Sequence, residues 1–190
     1  MLNPSDRRAN ISTLAVSKMR YILGLGSNLG NKPGNLARAV RLLEARGARI
    51  LKVSSLYRTQ PVGVLDQPWF INMALVAESR LPPPRFLEIL QDIEREMKRR
   101  RQRDKGPRRI DLDILLAGRR IITTRRLVIP HPRLAERNFV LAPLAEIAPR
   151  AVHPVLGKTV ATLLRVSKDR SLVIKTSGSF HPPFRQVKFK

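Results

Sequence analysis

Two apolar periods alternate along this chain, and that alternation constrains its fold more than any other feature. Phe86, Ile89, Leu90, Ile93 and Met97 recur at three- and four-residue spacing, which sets them on one stripe of a helix. Leu36, Ala39, Val40 and Leu43 repeat the spacing within Asn31–Arg46, where Pro33 suits a first helical turn. Around these lie short runs of strand length: Tyr21–Leu25, Ile50–Arg58, Phe70–Glu78 and Ile110–Leu116. The order is β-α-β-β-α-β. It predicts an α+β fold with a ferredoxin-like βαββαβ core, a four-stranded antiparallel sheet with helices packed on it. Two more short helices are expected over Phe139–Ile147 and Thr159–Val166.

The outer segments carry neither period. Residues 1–18 read as a polar extension, disordered or lying ahead of a true start at Met19, and residues 176–190 as a basic tail. Residues 19–175 remain as one expected domain, in keeping with a 190-residue chain. A hydrophobic content of 43% supports a real core. The absence of cysteine excludes disulfides and thiolate metal sites, so any metal must use oxygen or imidazole ligands. No run approaches the length of a membrane span, and a soluble, cytoplasmic, monomeric protein is expected. The 37 Lys and Arg against 14 Asp and Glu, a net +23, attract polyanions, whether nucleotide or nucleic acid. Charge alone leaves an RNA-binding module open.

The sharpest local signal is Gly106-Pro107-Arg108-Arg109-Ile110-Asp111-Leu112-Asp113-Ile114. On a strand, residues two apart share a face, so Asp111 and Asp113 point the same way with Cα atoms roughly 6–7 Å apart. Ile110, Leu112 and Ile114 then face helices. Paired carboxylates repel unless a cation sits between them, and hard oxygen ligands suit Mg²⁺ with phosphate oxygens completing its shell. A solvated pair balancing nearby arginines is the plainer alternative. The adjoining arginines favour a bound polyphosphate, which needs neutralising and clamping.

Other candidates are weaker singly. Gln91 and Glu94 sit on neighbouring turns beside the apolar helical stripe, and an exposed face explains them as well. His131, between Pro130 and Pro132, stands among Arg126, Arg133 and Arg137, which favours phosphate contact. Gly24-Leu25-Gly26-Ser27-Asn28-Leu29-Gly30 fits neither a dinucleotide fingerprint nor a Walker A loop, and reads as a tight strand-to-helix turn. Phe70 and Asn72 share a strand face, where an aromatic plate and an amide can hold a flat heterocycle, although core and turn roles serve equally.

Taken in order, Gly26-Ser27-Asn28-Leu29-Gly30, Ser55-Leu56-Tyr57-Arg58-Thr59 with Pro61 and Gly63, Asp66-Gln67-Pro68 with Asn72, Ile93-Glu94, Gly106-Pro107-Arg108 with Asp111-Leu112-Asp113, and Ile129-Pro130-His131-Pro132-Arg133 form one set. From about Tyr21 to Leu172 the chain resembles the 6-hydroxymethyl-7,8-dihydropterin pyrophosphokinases. The resemblance implies transfer of the β,γ-pyrophosphate of ATP to the pterin hydroxymethyl group, giving AMP and the pterin diphosphate, in folate biosynthesis. By the same resemblance Asp111 and Asp113 hold two Mg²⁺ ions, Phe70 and Phe139 sandwich the pterin, Asn72 is its amide partner, and Thr59, Gln60, Pro61 and Val62 line an edge of its pocket. Gln91, Glu94, Arg108, Ile114, Arg126, His131 and Arg137 match positions around the nucleotide, with Arg108 also catalytic. Arg99 and Arg101 match arginines of a mobile loop that closes over the reacting groups. Four positions depart from the usual pattern: Lys98 replaces a glycine, Lys105 an aromatic, Arg109 a threonine and Pro132 a tyrosine.

Two rivals stand beside this reading. An RNA-binding module on a ferredoxin-like sheet would want paired aromatics at the sheet centre, where this chain has Asp-Leu-Asp and one Phe. A simple kinase or nucleotidyltransferase would use the same two-metal logic.

Overall fold

The computed structural model describes residues 18–63, 65–97 and 106–177. The first strand, β1 (Met19–Ser27), is an interior strand of the sheet, and its residues Tyr21, Leu23 and Leu25 are all buried. Helix α1 (Lys32–Ala45) follows, with Pro33 in its first turn and the Asn31 side chain accepting from Gly34 N at 3.0 Å, so the helix starts where the sequence predicts. Next come β2 (Arg49–Val53), β3 (Tyr57–Thr59) and β4 (Phe70–Ser79), then α2 (Pro83–Glu96) and β5 (Asp111–Ala117). A small hairpin, β6 (Ile122–Thr123) with β7 (Val128–Ile129), leads through a 3₁₀ turn to α3 (Asn138–Ile147), α4 (Val160–Arg165) and β8 (Val173–Lys175).

Among the described residues the main sheet has six strands rather than the four expected, in the order β5-β1-β4-β3-β8 with β2 also on β4. All its described pairings are antiparallel. Two causes account for the extra strands. The expected strand Ile50–Arg58 divides at Ser54–Leu56, where one more residue lies on this side than on β4: Val53 pairs with Leu75 but Tyr57 with Asn72. The Ser54 hydroxyl accepts from Ala74 N at 2.9 Å, and Glu146 accepts from Ser55 N, Ser55 Oγ and Tyr57 Oη, so the excess residue is held from outside. The second addition is β8, which no apolar period announced and which closes the β3 edge.

Helices cover both faces. On one, α1 and α2 bury Leu36, Val40, Leu43, Phe86, Leu90 and Ile93 against Tyr21, Leu23, Leu75, Ile110, Leu112 and Ile114. On the other, α3 and α4 bury Leu141, Leu144, Val160 and Leu163 against Ile22, Ala74, Val76 and Leu115. This second cover is shorter and leaves part of the sheet face open. No helix among the described residues is long and apolar enough to cross a membrane.

Candidate active site

The uncovered face carries a cavity of about 290 Å³. Its floor is β1. Register sets Gly26 between Asn72 of β4 and Asp111 of β5, and Gly24 between Ala74 and Asp113. A Cβ at Gly26 would fall 2.5 Å from Asn72 Oδ1, so the Asn72 side chain fits over the floor only because position 26 is glycine. The expected turn over Gly24–Gly30 is therefore confined to its end, where Gly30 adopts φ 64°. Gly24 and Gly26 belong to the strand.

Asp111 and Asp113 both line one end of the cavity, while Ile110, Leu112 and Ile114 are buried against α1 and α2, as alternation on a strand requires. Arg108 Nη1 lies 3.2 Å from Asp111 Oδ2. Its position is set by Asn28, which is fully buried. Asn28 Oδ1 accepts from Arg108 N at 2.7 Å, Asn28 N donates to Arg108 O at 3.1 Å, and Asn28 Nδ2 donates to Gln67 Oε1 and Pro68 O. One amide thus joins the turn after β1, the loop before β4 and the entry to β5. From sequence, Asn28 and Gln67 carry no individual role; their place in the motif order is the available signal, and their pairing across 39 residues is not legible there.

His131, Arg133 and Arg137 complete this end. His131 Nδ1 accepts from Arg133 N at 3.1 Å, so a neutral ring carries its proton on Nε2. Burial, then the Arg137 charge, hold the imidazole pKa below its ordinary value, against an opposing pull from Asp111. Two of the lining arginines have buried Nε–H groups with no hydrogen-bond partner among the described residues, Arg108 and Arg137. Such donors call for an acceptor, and phosphate oxygen is the natural one.

Across β1 from the carboxylates, the β4 side of the lining is aromatic and neutral. Phe70 and Asn72 are both buried, and Asn72 Nδ2 donates to Thr59 Oγ1 at 2.6 Å. Gln60, Val62, Gln67 and Phe139 line the same space. Each aromatic ring lies under a guanidinium, Phe70 under Arg108 at 5.5 Å and Phe139 under Arg137 at 5.4 Å, so the two ends share an electrostatic seam.

Of the predicted residues, Thr59, Gln60, Val62, Phe70, Asn72, Arg108, Asp111, Asp113, His131, Arg137 and Phe139 meet in this cavity. Pro61 is buried between two of them without lining it. Gln91 is exposed on α2, and Arg126 is exposed in the β6–β7 loop. Ile114 belongs to the apolar core. Glu94 is not on an exposed face but 7% accessible, and its Oε1 accepts from Leu112 N at 2.8 Å behind β5. Arg99 and Arg101, with Lys98 and Lys105, lie outside the described residues.

The donor set suits a hard cation. Asp111 and Asp113 present two carboxylates, and no group of three His, Cys, Asp or Glu that could hold a metal occurs among the described residues. Two carboxylates with the remaining ligands from phosphate and water is the pattern Mg²⁺ favours.

Comparison with known proteins assigns the architecture. The family model described as 7,8-dihydro-6-hydroxymethylpterin-pyrophosphokinase (HPPK) matches residues 22–149. The chain belongs to that family. Pyrophosphate transfer to a hydroxymethylpterin, in folate biosynthesis, is the reaction that comes with it. The 2-amino-4-hydroxy-6-hydroxymethyldihydropteridine pyrophosphokinase of Bacillus subtilis is 51% identical over 133 residues, 70% of this chain and 79% of that protein. The protein of the same name from Methylorubrum extorquens is 46% identical over 146 residues, 76% of this chain and 91% of that one. The folic acid synthesis protein fol1 of Pneumocystis carinii is 43% identical over 150 residues, and there the match spans 79% of this chain but a fifth of its relative. The wild-type HPPK-DHPS of Plasmodium falciparum shares the fold, with a TM-score of 0.64 and 18% identity over 78% of this chain and 44% of that one. The family leaves no support for the RNA-binding alternative, and the Asp-Leu-Asp segment, expected at the sheet centre, lies instead on the edge strand β5.

Proposed function

We propose that the cavity binds the pterin at its aromatic end and the ATP phosphates at its acidic end, and that the pterin hydroxyl oxygen attacks the β-phosphorus between them. The bond from the β-phosphorus to the oxygen bridging it to the α-phosphate breaks, AMP leaves with that oxygen, and the hydroxyl proton is released. The observation that carries this reading is the side-by-side placement of two carboxylates and two arginines whose buried Nε donors have no partner among the described residues. Asp111 and Asp113 would hold Mg²⁺, two ions on this reading, which when bound would neutralise the phosphate oxygens and acidify the hydroxyl.

The chain's own residues bind and orient. Phe70 and Phe139 stack on the pterin faces, and Asn72, its amide fixed by Thr59, pairs with the heterocycle edge alongside the Thr59–Val62 segment. Arg108, Arg137 and the Nε2–H of His131 hold the phosphates as charge moves to the leaving oxygen. Strand β5 is the outermost of the sheet on this side, so Gln91, Glu94, Ile114 and Arg126 are assigned to the adenosine end of an ATP extended over that edge. Arg99 and Arg101 are assigned to closing over the reacting groups and excluding water. The strand order β5-β1-β4 with β2 and β3 beyond supports a ferredoxin-like reading of the core, with residues 19–175 as its domain.

The metal assignment is tested by AMP formation against Mg²⁺ concentration for the wild type and Asp111→Asn. Removing one charged ligand raises the half-saturating Mg²⁺ by about tenfold or more. An unchanged Mg²⁺ profile, or full activity in excess chelator, overturns it.

A further inference from the structure

The family match ends at residue 149, but both walls of the aromatic end are fastened by a segment beyond it, residues 167–175. Helix α3 starts without a side-chain cap of its own, with Arg137 at the N-cap position. Its first N–H, that of Asn138, donates to Asp169 Oδ2 at 2.7 Å, and the Asn138 side-chain amide donates to Asp169 O at 2.9 Å. Asp169 is pinned in turn: its Oδ1 accepts from Ser171 N at 2.8 Å and its own N–H donates to Ser167 Oγ at 3.2 Å. A carboxylate brought from 31 residues away therefore serves as the helix cap, where the helix dipole also favours negative charge. Asn138 stands between Arg137 and Phe139, which line the cavity at the start of α3. Three residues on, the same segment reaches the opposite wall, where Leu172 O accepts from Gln60 N at 3.0 Å and β8 pairs with Tyr57 and Thr59.

We infer that Asp169 is a positioning residue for pterin binding: it caps α3 from the C-terminal segment and so fixes Arg137 and Phe139 at the cavity. Residues 167–175 act as a strap between the two walls, with Asp169 as its anchor on the α3 side. This rests on the reading that the aromatic end holds the pterin.

The test is a double-variant cycle read by binding of 6-hydroxymethylpterin in the presence of Mg²⁺ and α,β-methylene-ATP, which cannot transfer. Four full-length proteins are compared: wild type, Asp169→Ala, Phe139→Ala and the double variant. Asp169→Ala weakens pterin binding about tenfold, the scale of a lost helix cap. In the Phe139→Ala background the same change costs less than about threefold, because the plate it positions is gone. Asp169→Asn, which keeps an acceptor for Asn138 N, recovers part of the affinity. Lys168→Ala, the exposed neighbour, leaves affinity unchanged. Equal effects of Asp169→Ala in both backgrounds overturn the inference, as does unchanged binding in Asp169→Ala. If Asp169→Ala does not fold, the comparison is made with Asp169→Asn, and equal losses in both backgrounds again overturn it. Unchanged binding in Phe139→Ala alone removes instead the reading of the pterin end on which the inference rests.

Discussion

The two ends of the cavity are built in different ways. The acidic end has a local nucleus: Asp111 and Asp113 are two residues apart on one strand, and Arg108 is three residues before the first of them. The aromatic end is assembled from distance. Asn72 meets Thr59 across 13 residues, and the start of α3 is fastened across 31. A strand's own periodicity fixes that carboxylate pair, and sheet register with a C-terminal strap fixes the aromatic end. The acidic end should therefore fail chemically and leave the fold intact, while the aromatic end should fail by loosening.

The largest expected effect breaks the acidic end. Asp113→Ala lowers pterin-dependent AMP formation by about a thousandfold or more, since it removes a preorganised charge from the reacting centre. The thermal midpoint changes little, because Asp113 lines the cavity and is not part of the apolar core. A loss of fold along with activity would contradict the contrast between the ends.

Next in size is Phe139→Ala. Losing one stacking plate weakens pterin binding by about ten- to a hundredfold with a much smaller change in ATP affinity. A comparable loss of ATP affinity would mean that the ends do not divide the substrates.

Smaller again is Thr59→Val. It deletes the acceptor of the Asn72 amide while keeping shape, and costs about 1 kcal/mol of stability or pterin affinity. No change in either quantity would show that the amide is oriented by something else.

The least effect falls on the bulge between β2 and β3. Burial raises the Glu146 pKa, but hydrogen bonds from Tyr57 and Ser55 and the Lys175 charge outweigh it and hold the group below its ordinary value. Its stabilisation is present above the unfolded pKa of about 4.3 and is lost as pH falls through the folded value. Denaturant midpoints measured from about pH 6 to 3 should fall more steeply in the wild type than in Glu146→Gln. Parallel slopes would remove the linkage.

This contrast also explains how much could be read from the chain. Helical stripes, the Asp-Leu-Asp alternation and the order of elements are short-range patterns, and α1, α2, β5 and the acidic face of the cavity follow from them. Strand division was not legible, because Ser54 and Ser55 are held by Ala74 and by Glu146, 91 residues later. Gly26 of β1 looked like part of a turn because only the register with Asn72 reveals why a side chain is excluded there. Glu94 looked exposed because its partner, Leu112 N, is contributed by the next strand. Asp169 had no local signal at all. Features encoded at spacings of two to four residues were readable; those that depend on pairing at long range were not.

The most direct test of the central claim is nucleotide release by the purified chain with ATP and Mg²⁺, with and without 6-hydroxymethyl-7,8-dihydropterin. The account predicts AMP, formed only when the pterin is present and in equal amount to the pterin diphosphate. ADP as the product, or AMP formed at the same rate without pterin, would contradict it.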